Sequence, residues 1–440
     1  NKIVLPAVPD GFEISLYGCD NKQVVAMDGT ITRPLEDMDI NVLYQVKNLN
    51  DETDIAYSEA DINFIVPGAY NKEESINAKP NVMPGLREWK GNEGEFTLSK
   101  NSKIVVKDAS LEATAKQIQF YLKEMIKHEL EIVTSGEKSG DIVLVEDGSV
   151  DNLGKEGYTL AIDDMIEIKS NYETGILYGG ISITQMFSQN DGMNNVAKGL
   201  ARDYPKYEVR AGMLDVARTY IPMEYLQEMT IYMAYYKLNE VQVHVNDYWG
   251  ATGYSAFRLE CDTYPMITAT DGSYTKEEYR QYQIDMKNYG INVITEIDTP
   301  YHAECFRNVP GVKMLKAGAL DIREQSSYDV IEAVLDEYLD GPNPVIQSDK
   351  FHIGTDEYDK SYSEQMRKWT DHFINYVNDK GYDTRLWGSL GSRGFNGTTP
   401  VSNDATVNLW APYWADVKET YNAGYDIINT CGGWLYIVPG

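Results

Sequence analysis

The sequence predicts an α/β protein in which a (β/α)8 barrel of the TIM type follows an α/β domain and an N-terminal β domain. Residues 1–80 are interpreted as all-β, because residues 39–46 largely alternate polar and apolar positions as a half-buried strand does. Residues 81–205 mix strands with helical spacing, and residues 206–440 repeat strand then helix. Such repetition indicates a parallel sheet, and its length favours a barrel. The 440 residues therefore suffice for three domains.

Two segments of the N-terminal β domain carry strand signals. Residues 39–46 largely alternate polar and apolar side chains, and residues 62–66 form a second run closed by Pro67 and Gly68. Residues 77–85 contain two prolines and a glycine, which indicate a turn or linker. We therefore place the first domain boundary after residue 80.

The α/β domain, residues 81–205, combines short apolar runs with helical periodicity. The predicted strands are residues 102–106, 141–145 and 158–162, and the predicted helices are residues 111–128 and a segment that follows Gly175–Gly180 and runs through Met186. No cluster of acids, bases or metal ligands occurs in this stretch of the sequence, so we interpret it as a structural domain.

The barrel region, residues 206–440, supplies seven predicted strands, with the eighth apparently missing. The strands are residues 212–216, 240–245, 291–297, 351–353, 384–387, 406–410 and 425–429, and helices are predicted at 223–236, 276–289 and 363–379. Seven strands leave two unpaired edges. We therefore expect the native protein to extend beyond Gly440, and a chain ending there to be aggregation-prone or weakly active.

The composition narrows the class of partner. There are 39 Lys and Arg against 68 Asp and Glu, a net charge of −29, which argues against nucleic acid and anionic membranes. The chain lacks an apolar run long enough for a transmembrane segment. The four scattered cysteines show no metal-ligand spacing. Because the chain begins at Asn1 without Met, a signal peptide could have been removed, and we expect a secreted or cell-surface protein.

Polar side chains stand at several of the predicted strand ends. The most informative are the adjacent carboxylates Asp356 and Glu357, which follow an apolar run closed by Gly354 and Thr355. An isolated pair of this kind is more often a solvated surface feature. Several polar strand ends on one barrel face are harder to explain, because buried charges are costly unless paired. They predict an acid/base site at the carboxyl ends of the strands.

Five segments resemble the family 20 glycoside hydrolases, which include the β-N-acetylhexosaminidases and the lacto-N-biosidases. Their order and separation carry the resemblance, which runs through most of residues 81–440. The segments are Arg210–Arg218, Lys237–Asp247, Glu296–His302, His352–Glu357 and Trp434–Tyr436.

The resemblance implies substrate-assisted hydrolysis, in which the 2-acetamido group of the sugar is the nucleophile. Glu357 is then the general acid/base, Asp356 orients the acetamide and stabilises its developing charge, and Tyr436 holds the acetamide oxygen. No metal or cofactor is implied. Because an acid must be protonated near neutral pH, we expect the pKa of Glu357 to be raised by burial or by its neighbour Asp356.

The same resemblance implies a set of substrate-binding residues. Arg210 would bind sugar hydroxyls, Asp247 and His302 would pack near the acid, and Trp387 and Trp410 would wall the acetamide pocket. The implied partner is an oligosaccharide or glycoconjugate.

Three functions remain open from the sequence. The first is release of β-linked N-acetylhexosamine from the non-reducing end, with retention of configuration. The second is release of a disaccharide by a lacto-N-biosidase, against which Arg210 argues because it would grip hydroxyls that a disaccharide leaves substituted. The third is a non-catalytic glycan-binding barrel, which would not need both Asp356 and Glu357.

Overall fold

The computed structural model describes residues 2–150, 152–250 and 252–437. The chain divides into two compact units, Asn1–Glu208 and Val209–Gly440. The predicted continuation past Gly440 lies outside the described residues. None of the helices in the described ranges is long and apolar enough to cross a membrane, and the four cysteines, all of which fall in those ranges, are free thiols.

The first unit begins with a four-stranded antiparallel sheet. Its strands are β1 (Phe12–Cys19), β2 (Met38–Asn48), β3 (Asp51–Tyr57) and β4 (Ile62–Val66). The order is β1-β2-β3, and β4 also pairs with β2. The alternation predicted β2 and β4 because Ile40, Val42 and Val66 point into a small apolar core. β1 and β3 were not among the predicted strands, and they carry more exposed side chains.

A mixed seven-stranded sheet and two helices complete the first unit. Its strands are β5 (Glu88–Thr97), β6 (Lys103–Val106), β7 (Glu131–Val133), β8 (Ile142–Glu146), β9 (Tyr158–Ile162), β10 (Ile166–Ser170) and β11 (Asn195–Asp203), and its helices are α1 (Glu112–Ile126) and α2 (Glu173–Ser188). The sheet order is β5-β11-β9-β10-β8-β6-β7. The predicted glycine run lies inside α2 rather than before it. A Cβ at Gly180 would come within 2.4 Å of Ile118, so this glycine lets α1 and α2 pack closely.

The second unit is a parallel seven-stranded sheet with helices between strands, which confirms the predicted fold class. Its strands are β12 (Ala211–Asp215), β13 (Glu240–His244), β16 (Asn292–Thr299), β19 (Lys350–Gly354), β20 (Asp383–Trp387), β21 (Thr406–Leu409) and β22 (Asp426–Asn429), in that spatial order. Two hairpins interrupt the alternation, β14 (Asn246–Trp249) with β15 (Tyr254–Phe257), and β17 (Met314–Lys316) with β18 (Ala319–Leu320).

The four longer helices in the described part of this unit bury apolar side chains, and the two short ones near its end do not. They are α3 (Met223–Tyr235), α4 (Lys276–Lys287), α5 (Gln325–Leu339), α6 (Ser363–Asp379), α7 (Val417–Asn422) and α8 (Gly432–Leu435). Short 3₁₀ helices span Pro265–Ile267, Glu304–Asn308 and Lys360–Tyr362 in this unit, and Lys72–Glu74 and Ala109–Leu111 in the first unit. In α6, for example, Met366, Phe373 and Val377 are buried at helical spacing.

The register of the parallel strands aligns polar residues across the sheet. Asp215 on β12 is opposite His244 on β13, and His244 is opposite Glu296 on β16. Glu296 is in turn opposite His352 on β19, which is opposite Arg385 on β20. Five neighbouring strands therefore each place one ionisable side chain in a single row, which we call the polar row. The candidate site lies just beyond this row, near the carboxyl ends of the strands.

Candidate active site

The two predicted catalytic carboxylates leave β19 through a turn in an unusual backbone conformation. Gly354, Thr355 and Glu357 have φ values of 74°, 77° and 49°. Positive φ is rare outside glycine and is costly for a β-branched residue such as Thr355. The Gly354 N–H donates to Nδ1 of His352 at 3.1 Å, and the Thr355 N–H donates to the carbonyl of Thr299 at 3.0 Å. We call Gly354–Glu357 the catalytic turn.

Gly354 is required where the turn approaches the neighbouring strand. A Cβ at this position would lie 1.8 Å from Oδ1 of Asp298, in addition to the strain of its positive φ. The missing side chain therefore lets Asp298 pack directly against the turn that carries Asp356.

Asp356 and Asp298 form a buried carboxylate pair. Burial, together with the charges of Glu357 and Glu296, raises the pKa of Asp356 to about 6 even though His302 opposes the shift. Burial and the Asp356 carboxylate raise the pKa of Asp298 well above its usual range. In each residue Oδ1 is buried and has no hydrogen-bond partner among the described residues. The Asp356 carboxylate therefore disfavours ionisation of Asp298, while Asp356 itself ionises near neutral pH.

A chain of hydrogen bonds links Glu357 to the interior. Nε2 of His302 lies 3.3 Å from Oε2 of Glu357, and Nδ1 of His302 lies 2.8 Å from Oδ1 of Asp247. The second Asp247 oxygen lies 2.7 Å from Nε2 of His244. Burial opposes ionisation of both groups, but hydrogen bonds to His244 and His302 hold the pKa of Asp247 well below its usual range. The charge of Asp298 and hydrogen bonds to Asp247 and Glu357 hold the pKa of His302 well above its usual range.

The expected pKa shift of Glu357 is wrong in direction. The hydrogen bond from His302 lowers the pKa of Glu357, and this outweighs partial burial because its side chain is still 42% exposed. The neighbouring carboxylate does not raise it above its usual range. In this arrangement the proton that an acid would use resides on His302, one hydrogen bond away from Glu357.

Glu296 anchors the inner side of the site. It is fully buried and accepts hydrogen bonds from Nε1 of Trp387 at 2.6 Å and Nε2 of Gln242 at 2.8 Å. Nδ1 of His244 lies 3.0 Å from Oε2 of Glu296, the oxygen that also accepts from Gln242. Burial opposes its ionisation, but His244 and His352 lower its pKa. Trp387 is therefore fixed at the end of β20 by a buried carboxylate, as a pocket wall would need to be.

Tyr436 faces the same carboxylates from the end of the chain. Tyr436 is 45% exposed, and its partial burial together with the charges of Asp356, Glu296 and Glu357 raises its pKa above the usual range, so the hydroxyl stays protonated. Its segment follows α8, where the Gly432 N–H donates to the carbonyl of Trp410 at 2.8 Å.

Trp410 follows β21 and packs against two further aromatic rings. Its ring stacks on Trp414 at 6.3 Å and meets Tyr413 edge-on at 6.0 Å. Its Nε1 is buried without a hydrogen-bond partner among the described residues. The structure thus gives Trp410 a place at a strand end, and its role as a pocket wall stays a prediction.

Arg210 is not at this end of the sheet. It precedes the first residue of β12, and its Nε donates to the carbonyl of Lys237 at 2.8 Å. The five residues of β12 span roughly 16 Å, and the carboxylates lie at the far end. The prediction that Arg210 binds sugar hydroxyls is therefore corrected: the arginine at the site comes after the strand rather than before it.

Arg218 is the residue that the sequence interpretation missed. Its guanidinium donates to Asp215 and lies 2.7 Å from Asp247, and its charge contributes to the low pKa of Glu357. Its side chain is 39% exposed, so it can still bind a ligand. Arg218 is the last residue of the segment Arg210–Arg218 that carries part of the family resemblance. Its position after the strand could have identified it, because the active sites of barrel enzymes lie at the carboxyl ends of the strands.

Several carboxylate and imidazole groups of the site are of the kinds that coordinate metal ions. Ligand atoms of Asp298, His302 and Asp356 lie within 4.8 Å of one another, as do those of two clusters around His244. His244 contacts Asp247 and Glu296, whereas Oδ1 of Asp298 and Oδ1 of Asp356 have no hydrogen-bond partner among the described residues. The expectation that no metal or cofactor is needed stays a prediction.

Comparison with known proteins decides the family. Residues 207–438 match the model of the glycosyl hydrolase family 20 catalytic domain, and residues 79–204 match that of glycosyl hydrolase family 20, domain 2. The chain belongs to glycosyl hydrolase family 20. The sequence resemblance is thereby confirmed over both matched regions.

The relatives of this family 20 chain include two types of enzyme. It is 25% identical over 394 residues to a lacto-N-biosidase of Bifidobacterium bifidum, covering 82% of this chain and 34% of that protein. It is 27% identical over 422 residues to a beta-hexosaminidase of Vibrio furnissii, covering 82% and 64%. The chain therefore spans about one third to two thirds of the length of these relatives.

A solved structure supports the fold. The GH20 beta-N-acetylhexosaminidase from Streptomyces coelicolor aligns with a TM-score of 0.67 at 21% identity, covering 80% of this family 20 chain and 76% of that one. This alignment with an experimentally determined structure supports the barrel architecture of the chain.

Proposed function

We propose that this chain is a retaining glycoside hydrolase that releases β-linked N-acetylhexosamine from the non-reducing end of glycans by substrate-assisted catalysis. The environment of Asp356 carries the proposal. Its carboxylate is buried, its Oδ1 has no hydrogen-bond partner among the described residues, and its pKa is raised to about 6. A buried acceptor of this kind calls for a donor, and the N–H of a 2-acetamido group is one.

The bond-breaking step uses both residues of the pair. Glu357 gives its proton to the glycosidic oxygen while the bond from that oxygen to C1 breaks. The acetamide oxygen bonds to C1 as the leaving group departs, which places a positive charge on the resulting oxazolinium ring. Ionised Asp356 stabilises that charge at close range in a buried site.

The second step restores Glu357. Water bonds to C1 and gives a proton to the Glu357 carboxylate, while the bond between C1 and the acetamide oxygen breaks. Two inversions at C1 leave the product in the β configuration. We infer that Tyr436, whose hydroxyl stays protonated, donates to the acetamide oxygen during both steps.

His302 supplies the proton that Glu357 lacks at rest. Sugar binding covers the exposed part of Glu357, and desolvation raises the pKa of a carboxylate. The proton on Nε2 of His302, 3.3 Å away, can then move to Oε2 of Glu357. Asp247, hydrogen-bonded to the other ring nitrogen, keeps that imidazole oriented.

Release of a disaccharide is the second candidate, because the chain resembles a lacto-N-biosidase. Arg218 favours the monosaccharide. Its half-exposed guanidinium is held by Asp215 and Asp247, where it would bind sugar hydroxyls that a disaccharide leaves substituted.

A panel of aryl β-glycosides tests the proposal: N-acetylglucosaminide, N-acetylgalactosaminide, glucoside and lacto-N-bioside. Turnover of the acetamido monosaccharides with retained configuration supports it. Preference for the lacto-N-bioside would favour the second candidate. Sugar binding by calorimetry with no turnover of any substrate would favour a non-catalytic glycan-binding barrel and contradict both.

Arg218→Ala should raise KM and lower kcat/KM roughly 10–100-fold, because a charged hydrogen bond contributes about 1.5–3 kcal/mol. Steady-state kinetics with the preferred aryl glycoside measure this. Arg210→Ala is the matched control: it removes the same side chain at the other end of β12, so its KM should stay near wild type. An effect of Arg210→Ala equal to that of Arg218→Ala would contradict the assignment.

The pH profile of kcat/KM should show an acidic limb near pH 6. Asp356 must be ionised to stabilise the oxazolinium, and with its pKa raised to about 6 the ionised fraction falls roughly tenfold per pH unit below that value. We therefore expect kcat/KM to increase as the pH rises through about 6. At higher pH kcat/KM should decrease again as His302 loses its proton. A flat profile between pH 5 and 7 would contradict this.

A further inference from the structure

The catalytic turn needs external support. Thr355 has a φ of 77° and is fully buried, and such a φ is strained for a non-glycine residue. Such a conformation persists only where neighbouring groups fix it. Because Thr355 directly precedes Asp356, the plane of the peptide between them sets the direction in which the Asp356 carboxylate points.

Two hydrogen bonds hold that segment from opposite sides. The Thr355 N–H donates to the carbonyl of Thr299, at the end of β16, at 3.0 Å. The Ser389 hydroxyl, two residues after β20, donates to the carbonyl of Thr355 at 2.6 Å. β16 and β20 are the neighbours of β19 in the sheet. Ser389 is 1% exposed, so its hydroxyl is shielded from solvent.

We propose that Ser389 is a positioning residue: its hydroxyl fixes the Thr355 carbonyl and thereby aims Asp356 at the acetamide and Glu357 at the glycosidic oxygen. The inference rests on the proposed function. Without that hydroxyl, a buried carbonyl loses its partner, and the strained turn can relax by rotating the Thr355–Asp356 peptide. A misplacement of about 1 Å can lower turnover on the order of 100-fold.

The surroundings of Ser389 allow a conservative rescue. Ser389 lines a cavity of about 430 Å³ together with Gly388, Leu390 and Ala415. The additional methyl of Ser389→Thr can occupy this space while the hydroxyl keeps its bond to Thr355. Ser389→Ala removes the bond and leaves the cavity otherwise unchanged.

The test compares three variants. Ser389→Ala should lower kcat roughly 10–100-fold on an aryl N-acetylglucosaminide, with KM within about twofold of wild type. It should also weaken the binding of a thiazoline analogue of N-acetylglucosamine by a similar factor, since that analogue resembles the cyclic intermediate. Ser389→Thr should recover kcat to within about threefold. Ser170→Ala is the matched control: Ser170 is buried in the first unit and its hydroxyl donates to the carbonyl of Gly157 at 2.7 Å.

A purely structural role predicts a different pattern. Ser389→Ala and Ser170→Ala would then both lower Tm while kcat, measured well below Tm, stayed within twofold of wild type, and that result would overturn the proposal. If Ser389→Ala does not fold, Ser389→Cys, a weak donor of similar size, replaces it. If the wild-type protein hydrolyses no acetamido sugar, the proposed function has failed. Crystal structures then decide: unmoved Asp356 and Glu357 carboxylates in Ser389→Ala would refute the positioning role, and displaced ones would support it.

Discussion

Glu357→Gln is expected to lower turnover of N-acetylhexosaminides about 10²–10⁴-fold while leaving the fold and sugar binding nearly intact. Glutamine keeps the shape of the side chain but has no proton to give to the glycosidic oxygen. The loss should therefore grow as the leaving group becomes a poorer one. Steady-state rates across a series of aryl and alkyl N-acetylglucosaminides measure this dependence.

Glu332→Gln is the control for this variant. Glu332 on α5 also pairs with a histidine, His372 on α6, at 2.6 Å, yet it lies on the helical layer outside the site. Its substitution should leave every rate in the series near wild type. Unchanged turnover of a substrate with a poor leaving group by Glu357→Gln would remove Glu357 from the role of acid.

Asp356→Asn is expected to lower kcat about 10²–10³-fold, the scale found when one preorganised electrostatic contact to a transition state is removed. The amide fills the same space but carries no charge to stabilise the oxazolinium. The acidic limb of the pH profile should also disappear, because the group that titrates near pH 6 is gone. Kinetics of the variant from pH 5 to 8 check both effects.

The same role of Asp356 predicts a strict demand for the acetamide. Glucosides should be very poor substrates for the wild-type protein, and the thiazoline analogue should inhibit it strongly. Asp336→Asn serves as the matched control, because Asp336 pairs with Lys380 at the helical surface and should not affect either result. Efficient glucoside hydrolysis, or a covalent sugar adduct on Asp356, would overturn the substrate-assisted route.

The secondary structure was predictable where apolar residues form a continuous run or recur at helical spacing. The barrel strands β13, β16 and β19 are buried on both faces and stand out as apolar runs, and α4 and α6 show helical spacing. The hairpin of β14 and β15 was not predicted, because it is short and begins only two residues after β13. The domain boundaries at residues 80 and 205 remain predictions.

The sequence predicted the positions of the two carboxylates of the site, but not which groups of the site carry protons. Adjacent acids after a closed apolar run located Asp356 and Glu357. The sequence could not reveal that His302 reaches Glu357, so it could not give the direction of the pKa shift. It likewise could not distinguish Arg210 from Arg218, since both flank the same strand and only the direction of that strand decides which one reaches the carboxylates.

The polar row has a consequence for assembly of the sheet. A strand buried on both faces keeps its apolar contacts when it slides by two residues, so hydrophobicity alone leaves such registers nearly equal in energy. Sliding β13 would separate His244 from Glu296 and leave a buried carboxylate without its nearby imidazole, which is strongly unfavourable. The ionisable groups of the polar row thus favour one alignment of these strands and penalise misaligned pairings during folding.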